Sequence, residues 1–230
     1  SNICTAQALP AIVASMYAIY HGCNGLREMA FGIHLKTRSL ALALRKYGCE
    51  ILTEKYFDTI CVRPTKLQNK SITSRLKNAN INVRHFDENI IGITLDESTE
   101  WSELPRLIEA ITDMPNEACE IDKVECQLPD YLNRPSDFLN NYLFTSYTSE
   151  TKLLRYMQKL KSRDLSLTHS MIPLGSCTMK LNSTTTMLPI SWSSFSNVHP
   201  FAPLEQSDGY GYIFRELESM IETITGFDGV

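Results

Sequence analysis

A change of hydrophobic period at Gly48 constrains this chain more than any other feature. Before it, apolar or small residues fall at Leu26, Met29, Ala30, Ile33, Thr37, Leu40, Ala41 and Leu44, the i, i+3, i+4, i+7 spacing of an amphipathic helix. After it the signals are short and mixed. Phe57 to Val62 carries strand formers, Ser71 to Ala79 reads as a helix, and Ile81 to Phe86 alternates imperfectly. Asp87-Glu88-Asn89 then turns the chain into Ile90 to Leu95. Thr99 is expected to cap one more helix, with Glu100 and Glu103 in its first turn and Leu104, Leu107, Ile108 and Ile111 as its buried stripe. Together these predict an α/β fold with a small β-α-β-β-α unit at about 48–113, two helices covering one face of a largely antiparallel sheet.

The flanks read differently. Thr5 to Tyr20 is rich in Ala, Ile, Val, Met and Tyr and is expected to form a mostly buried helix ended by Gly22, with a turn at Cys23-Asn24-Gly25. From Met114 to Pro135 the chain is acidic and irregular, with Pro115, Pro129 and Pro135, which marks a linker. Ser149 precedes a helix carrying Leu153, Leu154, Met157 and Leu160 on one face. A second amphipathic helix is expected from about Tyr212 to Thr225 through Ile213, Leu217, Ile221 and Ile224, with Gly226 as terminator. Residues from 130 onward offer these helices almost no strands, and Phe227 to Val230 read as a turn about to feed a sheet. That pattern is expected of a domain cut soon after its start.

Composition excludes some classes of function. A hydrophobic fraction of 43% supplies material for one or two cores, so disorder is not the default. With 22 basic and 26 acidic residues and no long block of either sign, nothing tracks a phosphate backbone, and a nucleic-acid partner is not expected. No apolar run approaches the roughly 20 residues a membrane span needs, and the N-terminus has no signal-peptide core, so a soluble chain with no membrane partner is expected. Cys4, Cys23, Cys49, Cys61, Cys119, Cys126 and Cys177 are irregularly spaced, without a CxxC pair or a Cys/His cluster. They read as reduced thiols, with no metal site.

The segment from Ser166 to Asn182 mixes hydroxyls, a thiol, an amine and an amide without periodicity. Gly175 permits close backbone approach, Ser176, Thr178 and Asn182 can hydrogen-bond carboxylate or phosphate oxygens, and Lys180 supplies a positive charge. An ordinary polar surface loop has the same composition. Cys177 reads either as a redox-sensitive thiol beside a lysine or as an inert one. His169 either stacks on a ring or bonds a phosphate, or is an ordinary loop histidine. Ser149-Glu150-Thr151-Lys152 fits the S-x-x-K pattern of penicillin-recognising serine hydrolases, but S-D-N and K-T-G are absent, and helix capping explains the same spacing.

The run His169-Ser-Met-Ile-Pro-Leu-Gly-Ser-Cys-Thr-Met-Lys-Leu-Asn182 resembles the signature that opens the second half of glycine decarboxylase P-proteins of the glycine cleavage system. Ser1 to Leu9, Ser149 to Lys152 with Arg155 to Met157, and His199 to Pro203 with Phe214 to Leu217 are similar to the same family in the same order. Thr148 departs from it, standing where the family has histidine. The resemblance implies two fused halves, each like a fold-type I pyridoxal-phosphate enzyme. Residues 1–47 would close the first large domain, 48–113 form its small domain, 114–148 link the halves, and 149–230 begin the second large domain, making this an internal piece across the junction.

It also implies pyridoxal phosphate as cofactor, glycine as substrate, a lipoylated H-protein as partner, a homodimer in the complete enzyme, and either the mitochondrial matrix or the bacterial cytoplasm. In the family the cofactor's lysine follows a histidine and precedes a glycine-rich run. This sequence has no His-Lys pair, and Lys180 lies between Met179 and Leu181. No catalytic residue is therefore expected within this chain. Ser176, Thr178, Lys180, Asn182 and His169 are expected near cofactor or substrate. The alternative is a truncated, non-catalytic structural or interaction piece of the same family.

Overall fold

In the computed structural model, which describes residues 8–64, 69–87, 89–115, 121, 130–134, 136–163 and 183–230, the two expected N-terminal helices run on from one another as α1, Ala8–Lys46. Gly22 interrupts it with φ 61° and ψ −171°, a conformation essentially confined to glycine. Cys23, Asn24 and Gly25 are therefore helical rather than a turn, because one residue absorbs the whole change of direction. The bend is sharp enough for the Tyr17 hydroxyl to lie 3.1 Å from Met29 Sδ, twelve residues on; the same hydroxyl lies 3.4 Å from Glu97 Oε1.

The arm before the kink is not mostly buried, contrary to its composition. Leu9, Ile12 and Val13 are 70%, 51% and 57% exposed. An apolar helix buries only what another surface covers, and none of the described residues covers this face. After the kink the expected stripe holds: Thr37, Leu40, Ala41 and Leu44 are fully buried.

The sheet has four antiparallel strands, β1 (Cys49–Ile51), β2 (Thr59–Pro64), β3 (Arg84–His85) and β4 (Ile91–Thr94), in the order β1-β2-β4-β3. Ile60 faces Ile93 and Val62 faces Ile91, so one side of the sheet is a continuous apolar layer. Against it pack α1, helix α2 (Asn69–Asn78) through Ile72 and Leu76, and helix α3 (Glu103–Thr112) through Leu104, Leu107, Ile108, Ala110 and Ile111. The α3 stripe matches the sequence reading.

The unit is thus β-β-α-β-β-α rather than β-α-β-β-α. Strand β1 adds three residues directly after Gly48, too few to register a period of two. The strand expected from Ile81 shrinks to Arg84–His85, because α2 ends in a hydrogen-bonded cap that uses the intervening residues. Asn80 is left-handed at φ 56°, its N–H donates to the Lys77 carbonyl, and the Ile81 N–H donates to that of Leu76 at 2.9 Å. On the other side of the sheet, Gly92 makes room for Phe86, whose ring edge would lie 2.7 Å from a Cβ there.

Thr99 does not cap α3. The helix begins at Glu103, behind Ser102, and the Glu103 carboxylate accepts the Glu100 N–H at 2.8 Å. Thr99 belongs instead to a turn organised by Asp96. Asp96 Oδ1 accepts the Ser98 and Thr99 N–H groups at 3.0 and 3.1 Å and their hydroxyls at 2.7 and 3.1 Å. The Ser98 hydroxyl leads in holding the Asp96 carboxyl below its ordinary range; burial, next in size, opposes it, and hydrogen bonds from Thr99 and the Ser98 backbone add to the lowering. A depressed carboxylate contributes stability above its unfolded value near 4 and loses it as pH falls further. Asp96→Asn is therefore expected to be less stable than the parent at neutral pH, with the gap closing below about pH 4 in urea titrations at several pH values.

At its other end α3 is closed by Arg75, whose Nε and Nη2 donate to the Ala110 and Ile111 carbonyls at 2.9 and 3.2 Å. These carbonyls lie in the last turn, where intrahelical partners run out.

The chain divides into two compact units, 1–171 and 172–230. The first also holds α4 (Leu143–Ser146), which packs on α1, and α5 (Glu150–Lys161), whose Leu154 and Met157 stay exposed. The second holds α6 (Thr184–Met187), α7 (Ser193–Ser196) and α8 (Asp208–Thr225). Helix α8 begins four residues before the expected Tyr212. Gly209 and Gly211 weaken the local helix signal, but Asp208 suits the positive end. It ends as expected at Gly226, left-handed at φ 74°, whose N–H donates to the Glu222 carbonyl. Tyr210 meets Phe195 edge-on at 5.9 Å and donates to its carbonyl at 2.7 Å. Among the described residues no strand follows β4, and no helix is long and apolar enough to cross a membrane.

Candidate functional site

The segment from Ser166 to Asn182, with His169, Ser176, Cys177, Thr178, Lys180 and Asn182, lies outside the described residues. Ser183, the next residue, takes the N-cap of α6 with extended backbone, and its Oγ accepts the Thr186 N–H at 3.3 Å.

A second polar set, which the sequence reading passed over, lies on α1. His34, Lys36, Thr37 and Ser39 are all buried. His34 Nδ1 is 2.9 Å from the Phe57 carbonyl, and its ring stacks on that of Phe57 at 5.8 Å. Lys36 Nζ donates to the Thr99 carbonyl, and Thr37 Oγ1 donates to that of Ile33 at 3.0 Å. Among the described residues the buried Ser39 hydroxyl has no hydrogen-bond partner. The set ties α1 to the loops at Phe57 and Thr99 through backbone carbonyls, and among the described residues it forms no acid–base pair with a carboxylate. Of these four, the period singled out only Thr37. His34 and Lys36 border that apolar stripe and Ser39 lies on the opposite side of the helix, and the loops that meet His34 and Lys36 come from distant sequence.

Ser149 takes the N-cap position of α5 with φ −128° and ψ 150°, though its side chain makes no cap bond. Ser149 and Lys152 are both exposed. Among the described residues Cys23, Cys49 and Cys61 are free thiols. Burial pushes the Cys49 thiol up to about 11, which keeps it protonated and unreactive near neutral pH. Cys4, Cys119, Cys126 and Cys177 lie outside the described residues. Among the described residues no three His, Cys, Asp or Glu side chains group as metal ligands.

The described fold defines an α/β protein built from helices and one small antiparallel sheet. Residues 1–111 match the family model described as glycine cleavage system P-protein. Over its whole length the chain is 48% identical to the glycine dehydrogenase (decarboxylating) of Thermosynechococcus vestitus, covering 100% of this chain and 24% of that protein. The protein of the same name from Rhodopseudomonas palustris is 47% identical, again over 100% and 24%. The potato protein, glycine dehydrogenase (decarboxylating), mitochondrial, from Solanum tuberosum, is 45% identical over 99% of this chain and 22% of its own length. The chain is thus similar, over its whole length, to proteins of the glycine cleavage system, in line with the signature run and the shorter stretches. It spans about a quarter of the length of the curated relatives it matches.

Proposed function

We propose that this chain is part of a pyridoxal-phosphate-dependent glycine decarboxylase, the component that releases carbon dioxide from glycine and passes the aminomethyl remainder to the lipoyl arm of H-protein. The observation that carries this reading is the 48% identity, over all 230 residues, to a relative named glycine dehydrogenase (decarboxylating).

On this reading residues 1–47 close a first large domain of fold-type I, 48–113 are its small domain, 114–148 link the halves, and 149–230 begin the second. Glycine and lipoylated H-protein are the partners, and the complete enzyme is a homodimer. The name of the potato relative supports a mitochondrial location, and the bacterial relatives support the bacterial cytoplasm.

The donor set of the signature run fits the cofactor or substrate chemically. Ser176, Thr178 and Asn182 offer hydroxyl and amide donors and Lys180 a cation, all suited to phosphate or carboxylate oxygens. When bound, pyridoxal phosphate supplies an electron sink for the pair left behind as carbon dioxide departs. The signature residues bind and orient the anionic groups around it, and Gly175 lets the backbone approach them.

A hydrogen bond to a charged group is worth roughly 1.5–3 kcal/mol, and about 1.4 kcal/mol is a factor of ten. Ser176→Ala, Thr178→Ala and Asn182→Ala in the full-length polypeptide are therefore each expected to slow release of labelled carbon dioxide from glycine by roughly 10- to 100-fold. Undiminished activity in all three removes the site from this run.

The anchoring lysine lies outside these 230 residues on this reading. Incubating the purified chain with pyridoxal phosphate, reducing with borohydride and mapping the adducts by mass spectrometry is expected to give no specific label. Near-stoichiometric labelling of Lys180 would make it the anchor.

The absence of a His-Lys pair favours a second reading, in which the chain is a non-catalytic structural piece of the same family. Whether the natural transcript continues past Val230 into a histidine-lysine region separates the two.

A further inference from the structure

We draw no further inference here: the strongest candidate, the charge-free apolar face of the α1 arm from Leu9 to Tyr20, is exposed among the described residues, and nothing in the structure shows what covers it.

Discussion

Gly22→Ala is expected to destabilise the N-terminal unit by about 3 kcal/mol or more, read as a lower urea midpoint followed by far-ultraviolet circular dichroism. Two costs add. The backbone at φ 61° and ψ −171° is strained for any residue with a Cβ, at about 1–3 kcal/mol. The new methyl would also lie well inside contact distance of the Phe144 carbonyl oxygen, and backbone yields less readily than the end of a flexible side chain. Overpacking of this kind costs about 1–3 kcal/mol more. Gly32 is the control. It lies in the same helix, nothing is within 4 Å of its would-be Cβ, and alanine there is expected to be neutral or to stabilise by up to about 1 kcal/mol. Equal effects at the two positions would mean that the kink is not held in place by α4.

Leu104→Ala is expected to cost about 2–5 kcal/mol, because its side chain is fully buried and the cavity left behind cannot be filled by solvent. Ile224→Ala removes as much carbon, yet is expected to stay within about 0.5 kcal/mol, since that side chain is 82% exposed. Both residues sit on apolar helix stripes that look alike in sequence. Urea titration of the two variants tests whether burial, and not hydrophobic pattern, locates the stabilising contacts. A large loss at Ile224 would show that the α8 stripe is covered in solution.

The exposed stripes have a common cause. Leu9, Leu154, Leu217 and Ile224 all stand on well-formed helices, yet each remains open to solvent. Amphipathic spacing records that a helix is built to pack, but the partner surface is a property of the rest of the polypeptide. The curated relatives are about four times as long as this chain.

The elements that were legible from residues alone are those with local causes. The α1 stripe through Thr37, Leu40, Ala41 and Leu44, the α3 stripe through Leu104, Leu107, Ile108 and Ile111, and the stop at Gly226 follow from spacing and from glycine's tolerance of left-handed backbone. The family resemblance was legible too, because fourteen consecutive residues from His169 to Asn182 are long enough to resemble one family's signature. Other features depended on contacts between distant segments. Strand β1 exists because β2 pairs with it, and Thr99 is drawn into the Asp96 turn rather than to the start of α3. Gly22 becomes a kink rather than an end because α4 packs against it. His34 and Lys36 are buried because the chain around Phe57 and Thr99 returns to cover the borders of the apolar stripe. Spacing along a chain encodes which face is apolar; it does not encode which distant segment will arrive to cover it, and that is a matter of three-dimensional packing.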